Sequence, residues 1–236
     1  MANIFYKIDG DYCYLCNQRK DGYTLYTRSG ITGVCPRKIA IIELTDGKFT
    51  LPADSAYLFD SAYNTTYNDM DKWDTSDCTE MEFLFFRNAS LTSVDLSNFN
   101  TSKVKSMYSM FSQCDSLRKV DCSTFDLSSL NKNHLASMFY GCDNLEVINI
   151  CNWDMSRSPD PGFMFSQCPK LKYIVVDDDT DWSQYYSTPE VIFGGDTSLP
   201  NWDGVINTTR ANVNWYFTGK SSYRENWNKY KIFMKV

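Results

Sequence analysis

The residue types that most often catalyse reactions or bind metals are few in this chain and are scattered along it. The one histidine, His134, lies in a loop, where a lone histidine is more typical of a solvated side chain than of a general base. Cys13 and Cys16, together with Cys35, resemble part of a zinc site. Residues three apart on a strand point to opposite faces, however, and the sequence places no fourth Cys or His nearby. With no phosphate-binding loop or nucleophile elbow either, we expect no enzymatic activity, no metal and no cofactor.

One acidic run could offer oxygen ligands to a calcium ion. It comprises Asp177, Asp178, Asp179 and Asp181. The run lacks the glycine and the distal glutamate of an EF-hand loop, which favours a polar turn instead. Both interpretations of this run stay open.

Several aromatic side chains lie among polar residues, outside the regular apolar positions of the chain. They either pack the ends and loops or form a contact surface for a protein or glycan, since Tyr and Trp dominate such surfaces. The C-terminal tail alternates lysines with apolar residues, which is typical of a strand that can pair with another sheet edge. The candidate interaction surface consists of Trp182, Tyr185, Tyr186, Trp202, Tyr223, Lys229, Lys231 and Lys235, and Tyr63 and Tyr67 are of the same aromatic class. We expect binding at the two ends of the chain.

The chain contains an internal repeat, and the fold of that repeat must position these residues. A phenylalanine recurs at steps of 26, 26, 28, 26 and 28 residues, and the position six places later is a leucine in five of the six copies. The phenylalanines are Phe59, Phe85, Phe111, Phe139, Phe165 and Phe193. A period of this length indicates stacked units, each of which hides its apolar face only against a neighbour.

Each unit contains a strand pattern followed by a helix pattern. Leu91, Val94 and Leu96 show the L-x-x-L-x-L spacing of a leucine-rich-repeat strand. Apolar residues from Val104 to Phe111 then fall at i, i+3, i+4 and i+7, which predicts a short helix that includes Tyr108. We predict an α/β repeat solenoid with a parallel strand ladder. Its core consists of Leu91, Val94, Leu96, Phe111, Leu117, Phe139, Leu145, Phe165 and Leu171.

Two polar rows keep the same phase as the repeat. The outward strand position is Asp69, Asp95, Asp121, Asn149 and Asp177 in successive units. Stacked carboxylates repel, so this row should be solvated or paired with cations. The second row, Cys114, Cys142 and Cys168, belongs to an odd total of nine cysteines, and we expect stacked free thiols rather than disulfides.

The pattern divides the chain into three regions. Residues 1–51 form an N-terminal module, residues 52–199 hold about six repeats, and residues 200–236 form a β-containing C-terminal cap with a tail strand. In the first region, Asn3–Ile8 and Asp11–Cys16 alternate around a tight turn, which predicts a hairpin in a small antiparallel sheet. Such a sheet would cover the otherwise exposed core of the first repeat.

Charge and hydropathy exclude some partners. The net charge is −6 and the sequence pI is about 4.8, which disfavours nucleic acid and anionic membranes. No stretch approaches the ~20 apolar residues of a membrane span. The first residues show no basic, apolar and small-residue pattern of a secretory signal.

Two stretches carry a resemblance to a known family. DLSNFNTSKVKSMYSMFSQCDSL and MFYGCDNLEVINICNWDMS resemble leucine-rich repeats of the BspA type, with their DLSNFDTS-like turn, Met-Phe helix end and Gly-Cys-x-x-Leu return. FGGDTSL with NWYFTGK resembles the closing unit, so the resemblance covers roughly residues 52–220. It implies a right-handed solenoid and non-enzymatic binding, often as bacterial surface adhesins that engage host proteins or other cells. It implies no particular functional residues.

These observations favour an interaction or structural protein. The first hypothesis is a bacteriophage virion component, such as a tail or capsid accessory protein, which is made in the host cytoplasm and contacts a bacterial surface. The second is a bacterial cell-surface adhesin exported without a standard signal peptide, and the third is a cytoplasmic protein-binding scaffold. In each case we expect other proteins or surface glycans as partners, and a homo-oligomer within an assembly is open.

Overall fold

The computed structural model describes residues 3–25, 38–43, 47–131, 134–155, 160–171, 173–176 and 217–219. Within them the chain forms an N-terminal β-sheet and a series of stacked repeats. One apolar core connects the two parts, from Ile4 to Ile174.

The N-terminal sheet has four strands in the order β3-β1-β2-β4. β1 (Phe5–Asp9) and β2 (Tyr12–Cys16) form an antiparallel hairpin whose loop begins with Gly10 at φ 55°, which glycine adopts without steric cost. β3 (Thr24–Leu25) pairs antiparallel with β1, but β4 (Lys38–Glu43) pairs parallel with β2. This corrects the prediction of a wholly antiparallel sheet. A parallel pair needs a connection of about a dozen residues or more, and the chain between β2 and β4, which includes β3, supplies that length.

The side chain of Asn17 joins this sheet to the first repeat. Its Nδ2 donates to the carbonyl of Thr50 and its Oδ1 accepts from the Thr50 N–H, both at 2.8 Å. Thr50 belongs to β5 (Phe49–Thr50), which pairs parallel with β6 (Trp73–Asp74) of the following repeat. Parallel stacking therefore begins before residue 52, where the sequence pattern places the start of the repeats.

A second four-stranded sheet is wholly parallel and has the order β10-β9-β8-β7. Val120 pairs with Ile148, and Ile148 pairs with Ile174, so the register advances by the repeat spacing. Its strands are β7 (Lys119–Asp121), β8 (Val147–Asn149), β9 (Tyr173–Val176) and β10 (Phe217–Gly219). Leu117, Leu145 and Leu171 are fully buried and lie two residues before β7, β8 and β9. β10 brings a strand from the last region of the sequence onto the same sheet.

The short helices that the sequence predicts do not form in the described repeats, where the only helix is a 3-10 turn at Met70–Lys72. The segment that leads to Phe111 is a run of overlapping turns. In it the N–H groups of Met110, Ser112 and Cys114 each donate to the carbonyl three residues back, at 3.1–3.2 Å. Overlapping turns place apolar residues three and four apart, as a helix does, so the spacing alone does not separate the two structures.

Alternate N–H groups of this segment leave the turns and donate to the next repeat. The N–H of Met107 donates to the carbonyl of His134 at 2.8 Å, and the N–H of Phe111 donates to that of Met138 at 2.9 Å. An α-helix would use these same N–H groups for its internal bonds. Stacking therefore competes with helix formation, and in these repeats stacking prevails.

The alternation requires left-handed residues at two positions of each turn segment. φ is 53° at Ser109 and 61° at Gln113, and the equivalent residues in the next repeat are Ser137 at 56° and Gly141 at 72°. A non-glycine residue in this conformation costs about 1–2 kcal/mol. The hydrogen bonds between repeats offset that cost.

The core is a column of stacked phenylalanine rings. Phe59, Phe85, Phe111, Phe139 and Phe165 are all fully buried, and successive ring centroids lie 5.2–6.0 Å apart at interplanar angles of 2–16°. The other predicted core residues are also buried, except that Val94 is only partly buried against the cluster. The phenylalanine spacing of the sequence thus corresponds to direct contact between repeats.

Phe111→Ala should lower the free energy of unfolding by about 3–5 kcal/mol, because it removes the central ring of the column and leaves a cavity. Chemical denaturation of wild type and variant measures this. A change near zero would show that the ring does not carry the packing that its contacts indicate.

Ser137→Gly should stabilise the protein by about 1 kcal/mol, because glycine takes positive φ without strain. Ser137→Val at the same position should destabilise it by more than that, since a β-branched side chain tolerates this conformation poorly. Thermal denaturation compares the pair, and equal melting temperatures would contradict the left-handed assignment.

Candidate functional site

The structure brings together a different set of aromatic residues from those that the sequence singles out. The eight predicted interaction residues lie outside the described part of the chain: Trp182, Tyr185, Tyr186, Trp202, Tyr223, Lys229, Lys231 and Lys235. Tyr63 is 55% exposed, as a surface aromatic should be. Tyr67 is buried, and its O–H donates to Asn88 Oδ1 at 2.5 Å. Of the two interpretations given to these aromatic residues, packing is therefore the one that applies to Tyr67.

The side chains of the Asp row accept hydrogen bonds from the backbone two residues further on. A carboxylate oxygen of Asp95 accepts the Ser97 N–H at 3.0 Å, and one of Asp121 accepts the Ser123 N–H at 2.9 Å. Asn149 accepts the Cys151 N–H in the same way at 3.1 Å. Each residue thus closes an Asx turn, and Asp121 and Asn149 do so at the ends of β7 and β8.

The thiol row supplies hydrogen bonds between repeats. The cysteines among the described residues are free and buried. The Sγ–H groups of Cys114, Cys142 and Cys168 donate to the carbonyls of Phe85, Phe111 and Phe139 in the preceding repeats at 3.0–3.1 Å. Burial raises the pKa of Cys114 and Cys142, so these thiols stay protonated and are poor nucleophiles.

His134 is the side chain among the described residues that metal or acid–base chemistry would most readily use. No group of three or more His, Cys, Asp or Glu side chains there is arranged to hold a metal ion. Nδ1 of His134 is buried without a hydrogen-bond partner in that part of the structure. It lies close enough to Glu80 to lower the pKa of that carboxyl against larger opposing effects.

The aromatic patch, which we define as Tyr57, Phe83, Phe86 and Tyr108, is a partly exposed cluster of rings in the described repeats. The Phe83 ring stacks on Tyr57 with centroids 4.5 Å apart, and meets Phe86 and Tyr108 edge-on at 5.2 and 5.3 Å. The guanidinium of Arg87 lies 4.5 Å from the centroid of the Phe86 ring. Tyr108 is 37% exposed and the other three rings are half-buried.

The turn segments position the patch. Tyr57 and Phe83 take equivalent left-handed positions in consecutive repeats, at φ 60° and 57°, while Phe59 and Phe85 next to them stack in the core. Tyr108 was predicted on the inner face of a helix, and the turns place it outside instead. The signal available in the sequence was Tyr57 and Phe83 at the repeat spacing, but the run Phe83-Leu84-Phe85-Phe86 resembles continuous core.

Carboxylates line one border of the patch. Asp54 and Glu80 occupy equivalent positions joined by a parallel bridge, and Glu82 directly precedes Phe83. Burial raises the pKa of Glu80, and Glu82 and Asp54 raise it further, against the opposing effect of His134 and Lys105. On the opposite border, Nε of Arg87 donates to Gln113 Oε1 at 3.1 Å. The patch is therefore an apolar surface with an acidic side.

This geometry defines a class of protein. It is a repeat protein with buried, hydrogen-bonded side chains between its repeats and an aromatic patch on its surface. A family model described as Mycoplasma protein of unknown function, DUF285, matches residues 53–178. The chain belongs to that family. No curated protein and no solved structure matches the chain significantly. Within the described residues, no helix is long and apolar enough to cross a bilayer.

Glu80→Gln should raise the melting temperature at neutral pH. The raised pKa of Glu80 means that its ionised form is less stable in the folded than in the unfolded chain, so the wild type loses stability as the pH rises through that pKa. The gain should shrink below the ordinary glutamate pKa of about 4.3, where wild-type Glu80 is protonated in both states. Thermal denaturation on both sides of that pH measures the difference.

Asp126→Ala is the matched control with the opposite sign. Hydrogen bonds from the Ser128 side chain and backbone lower the pKa of Asp126. Its contribution to stability is present above the ordinary aspartate pKa of about 3.9 and is lost as the pH falls through the folded-state pKa. The variant should melt lower at neutral pH, with a smaller deficit in acid. A lower melting temperature for Glu80→Gln at neutral pH would contradict the crowding of carboxylates at this border.

Proposed function

We propose that this chain is a non-enzymatic protein-interaction module built as a leucine-rich-repeat solenoid of the BspA type. The parallel register at the repeat spacing and the column of phenylalanine rings support the solenoid. The DLSNFNTS turn and the Gly-Cys-x-x-Leu return support the BspA type.

The aromatic patch is the observation that carries the binding function. Polar groups that could do chemistry are used to hold the repeats together: the thiols donate to carbonyls, and the Asp row closes turns. Tyr108 and the half-buried rings beside it contribute no ring to the phenylalanine column. Clustered aromatic rings with a neighbouring arginine have the composition of energetically dominant residues in protein interfaces.

Two settings for such a module have separate support. A bacteriophage virion component assembles in the reducing host cytoplasm, and the free, hydrogen-bonded thiols of the described repeats suit that origin. A bacterial surface adhesin is supported by the match to a family described from Mycoplasma and by the BspA-type motifs. The module acts by binding another protein or a surface glycan in both settings, and a cytoplasmic scaffold would do the same.

Site-specific photo-cross-linking in cells that produce the protein tests this function. A photoreactive residue in place of Tyr108 should give a discrete cross-linked partner, because that ring is in the patch. The same residue in place of Ser93, which is exposed on the strand side, should not give that product. Equal cross-linking at both positions, or none at Tyr108, would contradict a binding role for the patch. Recovery of the product with phage particles, the cell envelope or the cytosol separates the settings.

A further inference from the structure

The repeat itself shows which surface residues the fold does not require. The position of Tyr57 and Phe83 is filled by Ser109 and Ser137 in the next two repeats, with the same left-handed backbone. The position of Tyr108 is filled by Ala136, whose carbonyl accepts the same kind of bond between repeats. The bonds between repeats thus form with small side chains as well as with rings, so these bonds do not require the rings of the patch.

The same comparison applies to the acidic border. Ser106 takes the place of Asp54 and Glu80 in the third repeat, and the bridge continues through it. Phe86 likewise has Ser112 as its equivalent, and the bond between repeats is retained there at 2.9 Å. Aromatic rings and carboxylates therefore occur together in the first repeats, and the next two repeats replace them at several of these positions. Asp160 and Phe163 restore both in the repeat after those, where Phe163 is exposed with the same left-handed backbone.

The negative charge of the acidic border favours a positively charged ligand. The carboxylates of Glu82 and Asp54 add to the effect of burial in raising the pKa of Glu80, and a cation placed beside these carboxylates relieves that repulsion. The cationic groups that act on Glu80 are His134 and Lys105. Phosphate-bearing ligands would be repelled, while a lysine or arginine is attracted both to the carboxylates and to the faces of nearby rings.

Resting on the proposed interaction function, we propose that the aromatic patch and its acidic border bind a basic segment of a partner protein, in which lysine or arginine side chains alternate with apolar ones. The apolar side chains contact Phe83 and Tyr108, and the cations lie against Glu80 and Glu82. Repeats ~4.8 Å apart place Tyr57 and Tyr108 roughly 10 Å from each other across two steps of the stack, which matches about three residues of an extended chain.

Fluorescence anisotropy with three synthetic heptapeptides and the full-length protein tests the proposal. One peptide alternates lysine with leucine, the second replaces lysine with glutamate, and the third replaces leucine with serine. The lysine–leucine peptide should bind at least about tenfold more tightly than either of the others, a difference that corresponds to about 1.4 kcal/mol. Its affinity should fall as salt rises, because the border charges are exposed.

The variants are taken from the protein's own repeats, so that they fold. Phe83→Ser reproduces Ser109, Tyr108→Ala reproduces Ala136, and Glu80→Ser reproduces Ser106. Each should weaken binding of the lysine–leucine peptide by about fivefold or more, and Glu80→Ser should also reduce the salt dependence. Tyr63→Ser removes an exposed aromatic outside the patch and should leave the affinity unchanged. Melting temperatures close to wild type establish that the variants are folded. If Phe83→Ser does not fold, Tyr108→Ala alone tests the role of the rings.

Equal binding of the glutamate peptide, or unchanged affinity in all three patch variants, would overturn the proposal. A glycan that binds at the patch in place of the lysine–leucine peptide would also overturn it. Specific cross-linking at Tyr108 together with failure of the peptide series would leave the interaction function standing and show that the partner chemistry is wrong. Absence of both would reject the function as well.

Discussion

The backbone hydrogen bond from one repeat to the next is the constraint on which the rest of this structure depends. In each turn segment, alternate N–H groups donate to the following repeat, as Phe83 does to Tyr108 and Phe85 to Met110, both at 2.9 Å. This use of the N–H groups prevents an α-helix, requires two left-handed residues per segment and brings the phenylalanine rings into contact. No repeat can form this structure alone, because half of its turn N–H groups find acceptors only in a neighbour.

Polar side chains complete the bonding where the backbone cannot. Thr101 is buried, and its Oγ1 donates to the Asp126 carbonyl and accepts the Asp126 N–H, at 3.1 and 2.7 Å. Asn88 has the same position as the cysteines of the thiol row, and its Nδ2 donates to the Phe59 carbonyl at 2.6 Å. An amide and a thiol are thus interchangeable here, because the position needs a buried donor rather than a particular chemistry. This requirement accounts for the buried Asn, Thr and Cys residues at these positions.

The sequence predicts the repeat spacing and the buried rows well, because a side chain that recurs at a fixed interval must find the same environment in each copy. Phe111 and Leu117 could be assigned to the core on that ground alone. The turns around Ser109 could not be predicted, since the spacing of Val104, Met107 and Phe111 suits both a helix and overlapping turns. What decides between them is the acceptor in the next repeat, which lies about 26 residues away in the sequence.

The candidate site was harder to predict than the core. The sequence directs attention to Trp182 and the lysine tail, which lie outside the described residues, whereas the patch around Phe83 is hidden in a run of apolar residues. Tyr108 is exposed although a helix would hold it inward, because its segment forms turns with left-handed residues instead of a helix. Aromatic exposure in such a chain depends on backbone handedness that residue types alone do not reveal.

The bonds between the turn segments also have an electrical consequence. Ser55, Tyr57, Phe59 and Ser61 all donate in one direction, to the carbonyls of Glu80, Glu82, Leu84 and Phe86, and the later repeats continue in the same sense. The peptide units of this face therefore align along the stack, as they do along a helix axis, and their dipoles add instead of alternating as in an ordinary sheet. The carbonyl pole of this macrodipole lies at the first repeat, beside Asp54 and Asp60. This negative pole lies next to carboxylates. The N-terminal end of the stacked turn segments is therefore the part of this surface that attracts cations most strongly, whatever the ionisation of any single side chain.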